Sequence, residues 1–152
     1  MNRSSGDISG ALFQRYRGNP ILSPNRWPYT VNAEMNAGAA VVDGSTVLLC
    51  RVEDRRGISH LTVARSANGV SNWVVEQEPL LEPAPGLDYE SWGVEDARLT
   101  WVDELGRWVI AFTSFGPGGP GLSLATTRDF ASVERRIAAT YEASRHYLES
   151  EQ

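Results

Sequence analysis

The sequence predicts an all-β chain, and three features carry that expectation. Short runs of β-forming residues are separated by turn signals, their spacing recurs after about sixty residues, and a helix-type texture begins only past Phe130. The elements follow in chain order. Residues 1–18 are polar and mixed, and are expected to form a flexible N-terminal segment. Asn19-Pro20-Ile21-Leu22-Ser23-Pro24 opens an extended entry, because each proline biases the residue before it away from helix. Strands are predicted over 38–42, 47–52, 60–66 and 73–76, with turns at Asp43-Gly44, Arg56-Gly57 and Asn68-Gly69. Four strands joined by tight turns read as an antiparallel meander.

The same spacing returns in strands predicted over 98–102, 108–114 and 121–127, with Val47 matching Trp108 and Ala64-Arg65-Ser66 matching Ala125-Thr126-Thr127. Two copies of a four-stranded unit suggest propeller blades; a small β-sandwich shows the same pair, and periodicity alone does not separate the two. On the propeller reading two blades cannot close a ring, so the chain looks incomplete and its exposed sheet edge invites association with another chain, a homo-oligomer among the options. Residues 131–152 are rich in Ala, Glu and Arg, and Val133, Ile137 and Tyr141 fall on one stripe, so a helical tail is expected there.

Composition limits the function. With 152 residues, 41% hydrophobic and 22% charged, the chain has the makings of one modest globular domain. A net charge of -5 argues against nucleic-acid binding, which needs a clustered cationic surface. No apolar run approaches a membrane span, and the first ten residues lack the apolar stretch of a signal peptide, so a cytoplasmic location is expected. Cys50 is the single cysteine, set in the strand-like Val47-Leu48-Leu49-Cys50, and reads as a buried structural thiol. Two histidines and no cysteine pair give no metal-ligand spacing, and the prolines of Gly116-Pro117-Gly118-Gly119-Pro120-Gly121 make that run a turn rather than a phosphate cradle; neither metal nor cofactor is expected.

The chemistry concentrates in Trp92-Gly93-Val94-Glu95-Asp96-Ala97-Arg98-Leu99-Thr100. Strict strand alternation puts Asp96 and Arg98 on one face and Glu95 on the other, so that an acid and a cation converge as in a carbohydrate or phosphate site. The plainer reading is a strand-end salt bridge. Trp92 and Tyr89 precede the motif, where an aromatic face either stacks on a sugar or seals a hydrophobic layer, whereas Trp101 and Trp108 read as packing.

Four stretches together resemble glycoside hydrolase family 130, the β-mannoside phosphorylases and related mannosidases. They are Asn19-Pro20-Ile21-Leu22, Met35-Asn36-Ala37-Gly38-Ala39, Arg51-Val52-Glu53-Asp54 with Ser59-His60-Leu61, and Gly93-Val94-Glu95-Asp96-Ala97-Arg98. The resemblance runs over residues 19–130 and implies a partial five-bladed β-propeller, about two four-stranded blades from the N-terminal part of the family, with residues 131–152 unlike it. It implies that Asp96 is the catalytic acid of the family's glutamate-aspartate-proline-arginine motif, with Ala97 here in place of the proline. Asn36 and Arg51 are implied to hydrogen-bond the sugar being transferred, and Arg98 to buttress or join them. The other reading of Asn36 is a turn residue beside Gly38, and that of Arg51 an ion pair with Glu53; His60 reads as structural. The implied reaction transfers mannosyl from a β-mannoside to inorganic phosphate as co-substrate, with inversion to mannose 1-phosphate. Hydrolysis by the same family, or a non-catalytic carbohydrate-binding module, are the alternatives. The family's phosphate-binding cations fall in later blades, so Arg135, Arg136 and Arg145 inherit no role and the chain by itself is expected to be poorly active.

Overall fold

Alternation of apolar and polar residues builds two successive hairpin stacks. The computed structural model describes residues 15–136. In the first stack β1 (Ala33–Val42), β2 (Ser45–Glu53), β3 (Ser59–Ser66) and the short β4 (Val74–Val75) pair antiparallel in sequence order. Asp43 and Gly44, both at positive φ, make the two-residue turn between β1 and β2 that the Asp-Gly signal predicts. The five-residue turn after β2 is held by Asp54, whose Oδ1 accepts the N–H groups of Arg56 at 2.7 Å and Ile58 at 3.1 Å. The second stack is β5 (Gly93–Val102), β6 (Arg107–Gly116), β7 (Gly119–Thr127) and β8 (Glu134–Arg136), again antiparallel in order.

A single parallel register pair, Ser59 with Gly93, joins β3 to β5 and merges the stacks into one open eight-stranded sheet, with β1 and β8 at its ends and β4 beside β3. The all-β expectation holds. The described residues close no propeller ring. The main core lies between the stacks, where Val47, Leu49, Leu61 and Val63 of the first meet Val94, Ile110, Phe112 and Ala125 of the second. These are the alternate, inward positions of their strands, and each removes its side chain almost wholly from water. On the other side of β2 and β3 a smaller cluster forms, in which Leu22 and Trp27 of the entry segment cover Cys50, Val52 and Ala64. Burial there pushes the Cys50 thiol up to about 12, which keeps it protonated and inert as a nucleophile.

The helix expected from residue 131 onward is not what the chain forms where it is described: Glu134–Arg136 is strand β8, with Leu124 opposite Arg136. Tertiary pairing overrides the local helix preference. Arg135 forms an ion pair with Glu90, which lies buried in the connection between β4 and β5 and also accepts hydrogen bonds from Ser114 Oγ at 3.4 Å and the Ala84 N–H at 3.2 Å. Arg107 holds Glu134 at 2.8 Å. The remainder of the predicted helix, with Ile137 and Tyr141, and residues 1–14 of the N-terminal segment lie outside the described residues. No helix among the described residues is long and apolar enough to cross a membrane.

His60 on β3 shares the Tyr29 hydroxyl with Thr62: the Tyr29 oxygen lies 3.0 Å from His60 Nε2 and 2.6 Å from Thr62 Oγ1. Burial pushes the His60 imidazole below its ordinary 6.5, against a weaker upward pull from Asp54 and Glu82. The unfolded chain therefore binds the proton more readily than the folded one, so His60 contributes stability that is full above pH 6.5 and is lost as the pH falls below it. The melting temperature is expected to start falling as the pH drops through 6.5, and His60→Gln is expected to flatten that first limb. A second fall, from carboxylates such as Asp54 and Asp96 whose pKa is depressed from 3.8, is expected to remain below that pH in both proteins.

Candidate functional site

Two β-bulges build the site, and they sit at the same place in each hairpin stack. In β1 the register slips between Met35 and Gly38, and in β5 between Glu95 and Arg98, so that Asn36-Ala37 and Asp96-Ala97 each oppose one residue of the neighbouring strand. Asn36 and Asp96 hold the left-handed backbone at the two bulges, with φ of 46° and 53°. These are the residue types that tolerate that conformation best after glycine. Close approach is also needed: a Cβ on Gly38 would lie 2.7 Å from the Ala97 carbonyl oxygen, so only glycine lets β1 press onto the second bulge.

The bulges bring three of the four residues singled out from the sequence together. Asn36 Nδ2 donates to Asp96 Oδ1 at 3.0 Å, and Arg51 Nη1, from β2, donates to the same oxygen at 3.1 Å. No donor among the described residues reaches Asp96 Oδ2. The Arg51 guanidinium is spent in three directions, since its Nη2 pairs with Glu95 Oε1 at 2.9 Å and its Nε donates to Ser59 Oγ at 3.0 Å. Its partner is therefore not Glu53, which accepts from Asn32 at 2.8 Å. Arg51 and Glu95 are largely covered, with 18% and 15% of their side chains exposed, whereas Asp96 at 35% stays open to an incoming molecule.

Strict alternation misplaced two residues. The extra residue of the bulge breaks the period of two, so Glu95 reaches the same guanidinium as Asp96 instead of facing away. Arg98, the fourth candidate, turns back on its own strand and donates from Nη1 to the carbonyls of Ala97 at 2.9 Å and Asp96 at 3.4 Å; it touches the bulge backbone rather than the Asp96 carboxylate. Glu95 and Ser59 were visible in the motifs, but nothing in their spacing marks them as Arg51 ligands.

Burial pushes the Asp96 carboxyl up, yet the hydrogen bonds from Asn36 and Arg51 and the charges of Arg51 and Arg98 outweigh it and hold the pKa below the usual carboxylate value. At neutral pH Asp96 is thus an anion whose Oδ2 has no hydrogen-bond donor among the described residues, an acceptor for a hydroxyl. An open groove of about 430 Å³, lined by Asn36 but not by Asp96, runs past Asn19, Pro20 and Ile21 of the entry segment to Met35, so two of the stretches quoted above face one space. Glu34 lines the same groove, its Oε2 buried without a hydrogen-bond partner among the described residues and its pKa raised by desolvation. Trp92 stands 47% exposed and edge-on to Phe115, with ring centroids 5.3 Å apart. The described residues hold no cluster of three metal-ligating side chains.

The glycoside hydrolase family 130 profile, described as β-1,4-mannooligosaccharide phosphorylase, matches residues 13–149. A β-1,2-mannobiose phosphorylase of Listeria innocua is 30% identical over 77 residues, which are 51% of this chain and 20% of that protein. Among solved structures, a family 130 protein from work on glycoside hydrolases that target β-1,2-mannosidic linkages in Candida mannan superposes with a TM-score of 0.75 at 27% identity, covering 86% of this chain and 42% of the other. A glycosyl hydrolase of Bacteroides ovatus gives 0.74 at 26% identity, covering 84% and 41%. The chain thus spans a fifth of the length of the first relative and about two fifths of the two solved neighbours. With the profile running over nearly all of its length and the same fold in these neighbours, the chain belongs to glycoside hydrolase family 130, whose members include β-mannoside phosphorylases.

Proposed function

We propose that this chain carries the proton-handling half of a β-mannoside phosphorylase site. The reading rests on one observation above all: Asp96 is presented with one oxygen locked by Asn36 and Arg51 and the other open. In the proposed reaction a phosphate oxygen attacks the anomeric carbon of a β-mannoside from the face opposite the glycosidic bond. That bond breaks, the departing oxygen takes a proton from Asp96 by way of a sugar hydroxyl, and inverted mannose 1-phosphate and a shortened acceptor are released. Asp96 must gain a proton before it gives one, so the bound sugar has to displace water and raise a pKa that is depressed in the free protein. Asn36 and Arg51 would orient the mannosyl unit, with Arg98 bracing the bulge beneath it.

The two hairpin stacks would be two blades of a five-bladed propeller, and the phosphate-binding cations would come from further blades. Supply of those blades by another chain would use the sheet edge at β8 and make the active form an assembly. The proposed setting is the cytoplasm, with neither nucleic acid nor membrane as partner. Hydrolysis is the second reading, because the structural neighbour at 27% identity comes from work on family 130 glycoside hydrolases. A sugar-binding module without turnover is the third, favoured by the ionised state of Asp96.

The test is incubation of the purified chain with β-1,4- and β-1,2-mannobiose, with and without inorganic phosphate. Mannose 1-phosphate formed only with phosphate supports the proposal. Free mannose formed irrespective of phosphate supports hydrolysis, and saturable binding without product supports the module.

A further inference from the structure

The Arg51 guanidinium has three partners, and only one of them is Asp96. Its Nη2 lies 2.9 Å from Glu95 Oε1, and its Nε donates to Ser59 Oγ at 3.0 Å, the two contacts together fixing the plane of the fork. Nη1 is then the nitrogen left to face Asp96 Oδ1. Ser59 and Gly93 form the one register pair that joins the two hairpin stacks, so the anchor stands on the junction itself. Glu95 is largely covered and directly precedes the bulge, which turns its carboxylate onto the same cation as that of Asp96.

From this we infer that Glu95 is a positioning residue, anchoring Arg51 by one terminal nitrogen so that the other stays on Asp96. The inference deepens the proposed function by naming what sets the ionisation of its proton-handling group, and it is read without turnover. A Glu95 that is only a neighbouring charge acts on Asp96 with the opposite sign. Removing a nearby anion favours the Asp96 carboxylate and lowers its pKa, whereas releasing Arg51 withdraws a hydrogen bond and a cation and raises it. Among the described residues, the other charge acting on Asp96 is Arg98 and the other donor is Asn36; the hydrogen bonds of both go elsewhere than to Glu95.

The experiment follows the Asp96 side-chain carboxyl carbon by NMR through a pH titration of the full chain and two variants. Glu95→Ala removes the anchor, and the Asp96 midpoint is expected to rise by roughly half a unit or more. Glu95→Gln keeps an acceptor oxygen for Arg51 and removes only the charge, and the midpoint is expected to fall below that of the parent. An unchanged or lowered midpoint in Glu95→Ala overturns the inference, as does a raised one in Glu95→Gln. Should Glu95→Ala not fold, a raised midpoint in Glu95→Gln still overturns the inference. Failure of the mannobiose assay leaves these titrations standing, and failure of the titrations leaves the assay standing, so the two readings fall separately.

Discussion

On the proposed phosphorylase reaction, Asp96→Asn is expected to reduce mannose 1-phosphate formation by about 10²–10⁴-fold, the range for losing a positioned proton donor, while leaving the fold nearly as stable as before. The two halves of that expectation have separate causes. Asparagine tolerates the left-handed backbone at φ of 53° as well as aspartate does, so the bulge persists. Its amide oxygen still accepts from Asn36 Nδ2 and Arg51 Nη1, and what disappears is an ion pair with a half-open partner, worth about 1 kcal/mol or less. The proton, in contrast, has no substitute, because an amide neither takes nor gives one near neutral pH. The check is product formation and thermal melting on the same preparation. Retention of more than a tenth of the parent turnover would remove Asp96 from the proton path, and a large loss of stability would show that its role is structural.

The strands were legible because two independent signals coincide in them. Val47, Leu49, Leu61 and Val63 alternate with residues that face the other side of the sheet, and turn pairs such as Asp43-Gly44 mark where each run stops. The start of β1 was not legible: Ala33, Glu34, Met35 and Asn36 are indifferent strand formers, held in place by pairing with β2. β8 was hidden for a similar reason, since Glu134, Arg135 and Arg136 suit a helix until Glu90 and Arg107 supply ion partners across the fold. The candidate site residues Asn36, Arg51 and Asp96 were singled out through motif resemblance. Their geometry was not, because a bulge leaves no mark in the alternation it interrupts. Asn36-Ala37 and Asp96-Ala97 read as ordinary strand steps, and only the register shows that each adds a residue and brings Glu95 round to Arg51.

The junction between the stacks carries the second large effect. Gly93 has φ of 149°, a conformation that side chains rarely adopt, and an added Cβ would lie 3.0 Å from the Ser59 backbone nitrogen and 3.3 Å from Glu95 Oε1. Backbone strain of about 1–3 kcal/mol and overpacking of similar size are therefore expected to combine, and Gly93→Ala is expected to destabilise the chain by roughly 2–5 kcal/mol in urea unfolding. Gly106→Ala is the control, because that glycine has φ of 57° and open space around its Cβ position. It bears strain without contact and is expected to cost only about 1 kcal/mol. The difference between the two reports the close approach of β3 and β5 together with the rarer backbone of Gly93. It also reaches the site, since Ser59 and Glu95, the two residues the new methyl would push, are the ones that hold Arg51. In Gly93→Ala the Asp96 carboxyl is accordingly expected to titrate closer to an ordinary aspartate than in Gly106→Ala. Equal stabilities in the two variants would mean that the stacks are joined by their shared core alone, and that the pair of Ser59 and Gly93 is incidental to both fold and site.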